Sequence, residues 1–198
     1  MLAMLAGLVP EANGVVILSC GLGFTVEETV LAAVPPAARD WVAVQLAAAR
    51  RTRSTSERFG GHSHHWWATA VDKRPVTRLL PLDLPVLVVQ GGRDTSAVPE
   101  PARAGVALLE AAGRPVTYHE HPGLDHSRKD EAGEDRGPEV YADIGAWVAA
   151  VLTGGEMRRG TNRNQKRSWR WPIGWHHESE PGVSVLALLY LVIPHILF

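Results

Sequence analysis

The sequence predicts an α/β protein in which parallel strands with flanking helices form a buried sheet. Three short runs, Val15–Ser19, Pro85–Gln90 and Pro115–His121, are bounded by Gly or Pro. The first two are continuous and apolar, which is typical of strands buried on both faces of a parallel sheet. Segments of strong helix formers separate the runs, and this alternation indicates right-handed strand–helix–strand crossovers.

Composition places the chain among ordinary globular proteins. Its 198 residues suffice for one domain with a substantial core, and 45% of them are hydrophobic and 21% charged. The formal net charge of −1 gives no general attraction to nucleic acid, so no nucleic-acid partner is expected. The single cysteine, Cys20, excludes an internal disulfide, and the N-terminus lacks the basic flank of a signal peptide. We therefore expect a cytoplasmic protein.

The first third of the chain predicts a helix end, a strand and a helical segment. Met1–Val9 has the character of the last turns of a helix, and Val15–Ser19 is the first strand. Residues 24–80 are expected to be mainly helical, and Thr25 and Glu28 have the spacing of a capping box. Within this segment we expect a helix break at Pro35-Pro36, a polar loop at Ser54–Ser63 and a short helix at Trp66–Val71.

Two units of a strand followed by a turn come next. The strand Pro85–Gln90 breaks at Gly91-Gly92 and leads to Asp94, and the strand Val116–His121 leads to His126. Because parallel strands end at the same edge of a sheet, an acid and a base from distant positions are expected to meet there. A helix from Pro99 to Ala112 lies between the units, and a last amphipathic helix, Glu139–Leu152, is expected to end at Gly154-Gly155.

Residues 154–198 differ from the rest of the chain and are predicted to lie outside the domain. Arginines and lysines alternate with tryptophans, and residues 183–198 are almost wholly apolar. This run is shorter than the roughly 20 residues that span a bilayer. Contact with a membrane surface through residues 158–198, contact with a nucleic-acid backbone and a non-native appendage are the interpretations that remain open.

At Asp94 and His126 the chain resembles the α/β-hydrolase superfamily, particularly its dienelactone-hydrolase-like and prolyl-oligopeptidase-like serine esterases and peptidases. Pro85–Asp94, followed by Val98-Pro99, resembles the acid-bearing turn after the family's seventh strand. Gly113–His126 resembles the eighth strand and its histidine turn. The resemblance covers residues 1–153 and implies a partial α/β-hydrolase fold, its C-terminal half, with Asp94 and His126 as the catalytic acid and base. Asp125 is the rival acid, but adjacent side chains usually diverge.

The resemblance also implies a serine nucleophile in a Gly-x-Ser-x-Gly elbow that comes before the acid in the chain. No such elbow occurs here, so we expect the N-terminal strands and the nucleophile to precede Met1. Ser63 is a weak candidate, because Gly61 is in place but His65 stands where the second glycine is needed. Cys20 and Ser19 end a strand, but Leu18 and Leu22 occupy the glycine positions around Cys20.

The function expected from the resemblance is hydrolysis of ester, thioester or peptide bonds, with this chain inactive by itself because the nucleophile is absent. The alternative is a non-catalytic binding or vestigial protein. The resemblance also implies that residues 24–80 are a lid-like helical insert that covers the active site. Trp66 and Trp67 would either line a substrate pocket in this insert or form a packed patch under a loop. A further expectation is self-association through an exposed apolar edge of the strand Val15–Ser19.

Histidines raise the question of a metal site. His119 and His121 share one strand face, and His62, His64 and His65 cluster in the insert. Neither spacing matches a zinc signature, so we expect no metal and no other cofactor.

Overall fold

A computed structural model describes the backbone of residues 12–158 and the side chains of residues 12–153. The predicted helix at Met1–Val9 and the interpretations of residues 159–198 lie outside the described residues. Ten elements follow one another along the chain: β1 (Val15–Leu18), α1 (Val26–Ala33), α2 (Arg39–Thr52), β2 (Arg58–Phe59), β3 (His62–Ser63), α3 (His64–Ala70), β4 (Val86–Gly91), α4 (Pro99–Ala111), β5 (Val116–His121) and α5 (Gly137–Arg158). Short 3₁₀ turns occupy Pro36–Ala38 and Pro75–Arg78.

The main sheet has three parallel strands in the spatial order β1-β4-β5. Val15 of β1 pairs with Val86 of β4, which pairs in turn with Val116 of β5. The prediction of a parallel sheet with flanking helices is confirmed.

Apolar side chains cover both faces of this sheet. On one face, Val15, Ile17, Val86 and Val88 pack with residues of α4, among them Ala102, Val106 and Leu109. On the other face, Val16, Leu18, Leu87 and Val89 pack with residues of α5, among them Val140 and Trp147. This two-sided burial explains why the strands are continuous apolar runs rather than alternating ones.

The segment from residue 24 to residue 80 has an apolar core of its own. Helices α1 to α3 and the β2–β3 hairpin enclose a cluster of buried side chains: Val30, Val34, Val42, Leu46, Ala49, Phe59, Trp67 and Val71. Arg50 of α2 donates two hydrogen bonds to the carboxylate of Glu27 in α1, at 3.0 and 2.6 Å. The helical character of the segment agrees with the sequence, and its role as a lid stays a prediction.

Two boundaries show how local signals act in this fold. The capping box is confirmed, because the Thr25 hydroxyl accepts a hydrogen bond from Glu28 N–H and the Glu28 carboxylate accepts one from Thr25 N–H. The predicted end of the last helix is wrong, because α5 continues through Gly154-Gly155 to Arg158. Glycine lowers helix propensity by about 1 kcal/mol relative to alanine, and this does not by itself end a helix. The domain boundary predicted at residue 153 therefore falls inside a helix.

The Ser54–Ser63 segment, predicted as a loop, contains the β2–β3 hairpin. Arg58 pairs with Ser63 and Phe59 pairs with His62 in antiparallel fashion. Gly60 and Gly61 form the connection with φ values of 50° and 80°. Positive φ at both central residues is what a tight type I′ hairpin turn requires, and glycine adopts it without strain.

The strand β1 was expected to present an exposed apolar edge. Within the described residues it pairs with β4 alone, but its four side chains are only 1–7% exposed. Self-association through this strand stays a prediction, and it would use main-chain groups rather than exposed apolar side chains. Between residues 12 and 158, no helix has the length and apolar character needed to cross a membrane.

Candidate active site

The turns after β4 and β5 lie side by side at the carboxyl edge of the sheet. Pairing between the two strands runs without a break from Val86 opposite Val116 to Gly91 opposite His121. Both strands therefore leave the sheet at the same level. The turn after β4 carries Asp94, and the turn after β5 carries His126.

Main-chain hydrogen bonds join the two turns. The N–H of Gly92 donates to the carbonyl oxygen of His121 at 2.8 Å, and the N–H of Arg93 donates to that of Leu124 at 2.9 Å. A Cβ atom at Gly91 would lie 2.5 Å from the Leu124 carbonyl oxygen, and one at Gly92 would lie 2.7 Å from Pro122 Cα. Only glycine at both positions lets the backbones approach this closely without a shift, so the Gly91-Gly92 pair sets the distance between the turns.

The Asp94 carboxylate is fully buried and held by several donors. Its Oδ1 accepts hydrogen bonds from the N–H groups of Ser96 at 2.9 Å and Ala97 at 2.7 Å. Its Oδ2 lies 2.9 Å from His126 Nδ1 and 3.3 Å from Gln90 Nε2. The side chain has no solvent exposure, so these groups take the place of water around the carboxylate.

The contact with Asp94 fixes the orientation of the His126 ring. A carboxylate oxygen accepts, so Nδ1 carries the hydrogen of this bond. In the neutral imidazole the lone pair is then on Nε2, at the opposite side of the ring. The side chain of His126 is 14% exposed. An imidazole held in this tautomer by a buried carboxylate is arranged to accept a proton at Nε2.

Asp125, the rival acid, has a different role. Its Oδ1 accepts hydrogen bonds from the N–H groups of Ser127 and Lys129, both at 2.8 Å. The carboxylate therefore closes the turn that carries His126, and Asp94 is the acid that contacts the imidazole.

A network around Arg136 closes the loop that follows His126. Arg136 donates from Nε to Asp130 Oδ2 at 2.8 Å and also contacts Glu134 and Glu139. Its hydrogen bond to Asp130 holds the pKa of that carboxyl group below its usual range. The main-chain N–H of Arg136 donates to the carbonyl oxygen of Arg128 at 2.9 Å, so the loop returns on itself.

Two of the three candidate nucleophiles, Ser63 and Cys20, have clear structural roles or environments. Ser63 caps helix α3, because its hydroxyl accepts a hydrogen bond from the N–H of Trp66 at 3.2 Å. Its φ of −69° and ψ of 154° are ordinary extended values, whereas a nucleophile elbow is a sharp and strained turn. Cys20 is buried, and burial raises the pKa of its thiol to about 12. A thiol with this pKa stays protonated at neutral pH and is a poor nucleophile.

Ser19 is the one strand-end candidate with an unusual backbone. Its φ of 50° lies in the left-handed region, where residues other than glycine are uncommon. Its N–H donates to the carbonyl oxygen of Val89 at 2.9 Å, and the residue is buried.

The adjacent tryptophans Trp66 and Trp67 differ in their surroundings. Trp67 is fully buried, and its indole N–H donates to the carbonyl oxygen of Phe59 at 2.8 Å. This placement makes Trp67 a core residue of the helical segment. Trp66 is half-buried and stacks on His62, with ring centroids 3.9 Å apart. Of the pair, Trp66 alone can reach a bound molecule, and its substrate-binding role stays a prediction.

The histidines of strand β5 and of the insert raise the question of a metal site. Within residues 12–158, no three His, Cys, Asp or Glu side chains lie close enough together to hold a metal ion. His64 Nδ1 lies 2.7 Å from the Thr52 hydroxyl, and His121 Nε2 lies 3.8 Å from Asp143 Oδ2. These contacts tie the histidines to neighbouring helices.

Fold and site together define a mixed α/β protein with a buried Asp–His pair at the carboxyl edge of a parallel sheet. A scan of the chain against protein-family models returns no match, and a search among curated proteins finds none. The function must therefore be argued from the geometry of the site.

Proposed function

We propose that this chain is the C-terminal part of an α/β-hydrolase-type serine hydrolase, in which Asp94 and His126 are two members of a catalytic triad. The observation that supports this best is the 2.9 Å contact between Asp94 Oδ2 and His126 Nδ1. A buried acid that orients a histidine from the turn after the neighbouring strand is the arrangement that triad chemistry needs.

In the proposed reaction the two residues act on a serine hydroxyl. His126 Nε2 takes the hydroxyl proton as the serine oxygen bonds to the acyl carbon of the substrate. The same proton then passes to the leaving group as its bond to the acyl carbon breaks. Water then attacks the acyl carbon as His126 Nε2 takes one of its protons. This proton returns to the serine oxygen as the acyl–serine bond breaks, and the carboxylic acid product is released. Asp94 holds the tautomer and stabilises the imidazolium that forms in each step.

The nucleophile in this proposal comes from outside residues 12–158. Ser63 serves as a helix cap, and the Cys20 thiol is buried with a raised pKa. Ser19 has a left-handed backbone conformation, but it is buried and lacks the glycine that an elbow has two residues before its serine. Substrates would be esters, thioesters or peptides of small to medium size. Of the adjacent pair Trp66 and Trp67, Trp66 is the residue available to contact them.

The test uses a fluorophosphonate probe, which reacts with activated serines. The whole gene product, including all coding sequence in frame before Met1, is expected to be labelled at a serine outside residues 12–158. The 198-residue chain by itself is expected to remain unlabelled. His126→Ala should slow labelling of the whole product about 1,000-fold or more, as removal of a triad base does.

His119→Ala provides the matched control, because His119 belongs to the same strand–turn unit but is not a partner of Asp94. It should label at the rate of the unsubstituted protein. Labelling that does not depend on His126, or labelling that is lost with Ser63→Ala or with Ser19→Ala, would contradict the proposed mechanism.

The alternative function is non-catalytic binding, and the structural roles of Ser63 and Cys20 favour it. Under this alternative Asp94 and His126 serve only to join the two turns. Absence of labelling in the whole gene product, together with a folded protein, would decide for it.

A further inference from the structure

Gln90 is a polar residue in an otherwise apolar strand. It follows Val88 and Val89 near the end of β4, and it is fully buried. A buried amide at this position requires partners, because an unpaired polar group inside a protein is costly.

The partners of Gln90 all lie on one side of its amide. Nε2 is 2.8 Å from the carbonyl oxygen of Ala97, 3.1 Å from that of Gly91 and 3.3 Å from Asp94 Oδ2. All three partners are acceptors, so the atom facing them is the donating nitrogen and not the oxygen. The two N–H bonds of one amide are thus shared among three residues of the turn: Gly91 at its start, Asp94 in its middle and Ala97 at its end.

We propose that Gln90 is a positioning residue that holds the Asp94 carboxylate in the orientation in which Oδ2 contacts His126. The inference deepens the proposed function, since it concerns the oxygen that faces the imidazole. The N–H groups of Ser96 and Ala97 both hold Oδ1, and they leave the carboxylate able to pivot about that atom. The Gln90 amide donates to Oδ2 and therefore opposes this movement directly. It also donates to the carbonyl oxygen of Ala97, the residue whose N–H holds Oδ1.

The oxygen of the Gln90 amide supports a role for the nitrogen. Oε1 is buried and has no hydrogen-bond partner among the described residues. If Gln90 served packing alone, Leu or Met would fill the site without leaving an unsatisfied acceptor. The fold tolerates the unpaired oxygen, and the nitrogen on the same amide contacts the carboxylate.

The hydrogen on His126 Nδ1 gives a direct measurement, because a proton held by a carboxylate exchanges slowly with water and resonates at low field in the proton NMR spectrum. The 198-residue chain can be used, and the signal is assigned by its loss in His126→Gln. Gln90→Met keeps the length of the side chain and removes the donor. We expect its Nδ1 proton to exchange about tenfold faster, because a hydrogen bond to a charged group has been lost.

Val88→Ala is the matched control. Val88 is buried on the same face of β4, two residues before Gln90. Its side chain is apolar and cannot donate a hydrogen bond to Asp94. This variant should lower the stability of the fold and leave the exchange rate of the Nδ1 proton unchanged. Gln90→Glu, which keeps the shape and replaces the donor by an acceptor, should accelerate exchange as Gln90→Met does.

The proposal is overturned if the Nδ1 proton is not protected in the unsubstituted chain, or if it exchanges equally slowly in both Gln90 variants. Equal acceleration in Val88→Ala would also overturn it. So would unfolding of both Gln90 variants beside a folded Val88→Ala, because Gln90 would then act on the fold alone. A serine probe that fails to label the whole gene product counts against the proposed function and does not change this result.

Discussion

Gly91 lies so close to Leu124 that a Cβ atom at Gly91 would be 2.5 Å from the Leu124 carbonyl oxygen. The atom in the way belongs to the backbone, so no side chain can rotate to make room. Gly91→Ala should therefore push the turn of His126 away from the turn of Asp94. We expect a loss of about 3 kcal/mol in the free energy of unfolding, measured in urea, since overpacking at a rigid site costs about this much. The slow exchange of the His126 Nδ1 proton should be lost as well.

Gly123→Ala is the control for this prediction. Gly123 belongs to the same turn as His126, it is exposed, and a Cβ atom there would meet nothing within 4 Å. Its substitution should change the free energy of unfolding by less than about 0.5 kcal/mol. Equal effects at the two glycines would show that backbone freedom, rather than the approach of the two turns, explains the result.

Asp94 and Asp125 should respond differently to replacement by asparagine. Asp94→Asn keeps the shape of the side chain but no longer offers His126 a charged acceptor. If the proposed mechanism holds, kcat of the whole gene product should fall about 10,000-fold, as it does when the triad acid loses its charge. Asp125→Asn keeps the oxygen that accepts from Ser127 and Lys129, so it should reduce kcat far less. A larger loss of kcat with Asp125→Asn than with Asp94→Asn would show that Asp125, and not Asp94, is the catalytic acid.

The sequence was sufficient for the parts of the fold that depend on local pattern. Strand β5 begins and ends where it was predicted, and the capping box of Thr25 and Glu28 is present. The contact of Asp94 with His126 could be anticipated because parallel strands end at one edge. The β2–β3 hairpin was missed because its strands have two residues each, although Gly60-Gly61 is a recognised hairpin signal.

Contacts made through the turns could not be predicted from local pattern. The partners of Gln90 depend on how residues 91–97 fold back over the end of β4. The available signal was a single amide at the end of an apolar strand. The same holds for Arg136, whose partners Asp130, Glu134 and Glu139 come together only when the loop closes.

The raised pKa of Cys20 predicts how stability changes at alkaline pH. Burial raises the pKa of this thiol from near 9 to about 12 in the folded chain. Between these values the unfolded chain releases the thiol proton and the folded chain retains it. The stabilising contribution is therefore complete below pH 9 and is lost as the pH rises toward 12, by about 1.4 kcal/mol per pH unit.

Urea unfolding of the unsubstituted chain and of Cys20→Ala, each at several pH values above 9, measures this contribution. The alanine variant loses some packing, but its stability should fall less steeply with pH, and the difference in slope belongs to the thiol. In the folded chain the thiol should also resist a disulfide reagent at pH 8 and react fully once urea is added. Rapid reaction in the absence of urea would mean that Cys20 is accessible and would return it to the candidate nucleophiles.

The adjacent tryptophans Trp66 and Trp67 give a test of what the insert does. Trp67→Ala removes a fully buried ring from the core of the segment and leaves Phe59 O without its donor. We expect a loss of about 3–5 kcal/mol in the free energy of unfolding. Trp66→Ala removes a half-buried ring stacked on His62, and its cost should be about 1 kcal/mol or less. In the whole gene product, Trp66→Ala should raise KM and leave kcat nearly unchanged if Trp66 contacts the substrate. An unchanged KM would limit Trp66 to packing against His62, and the substrate would then have to be bound by other residues.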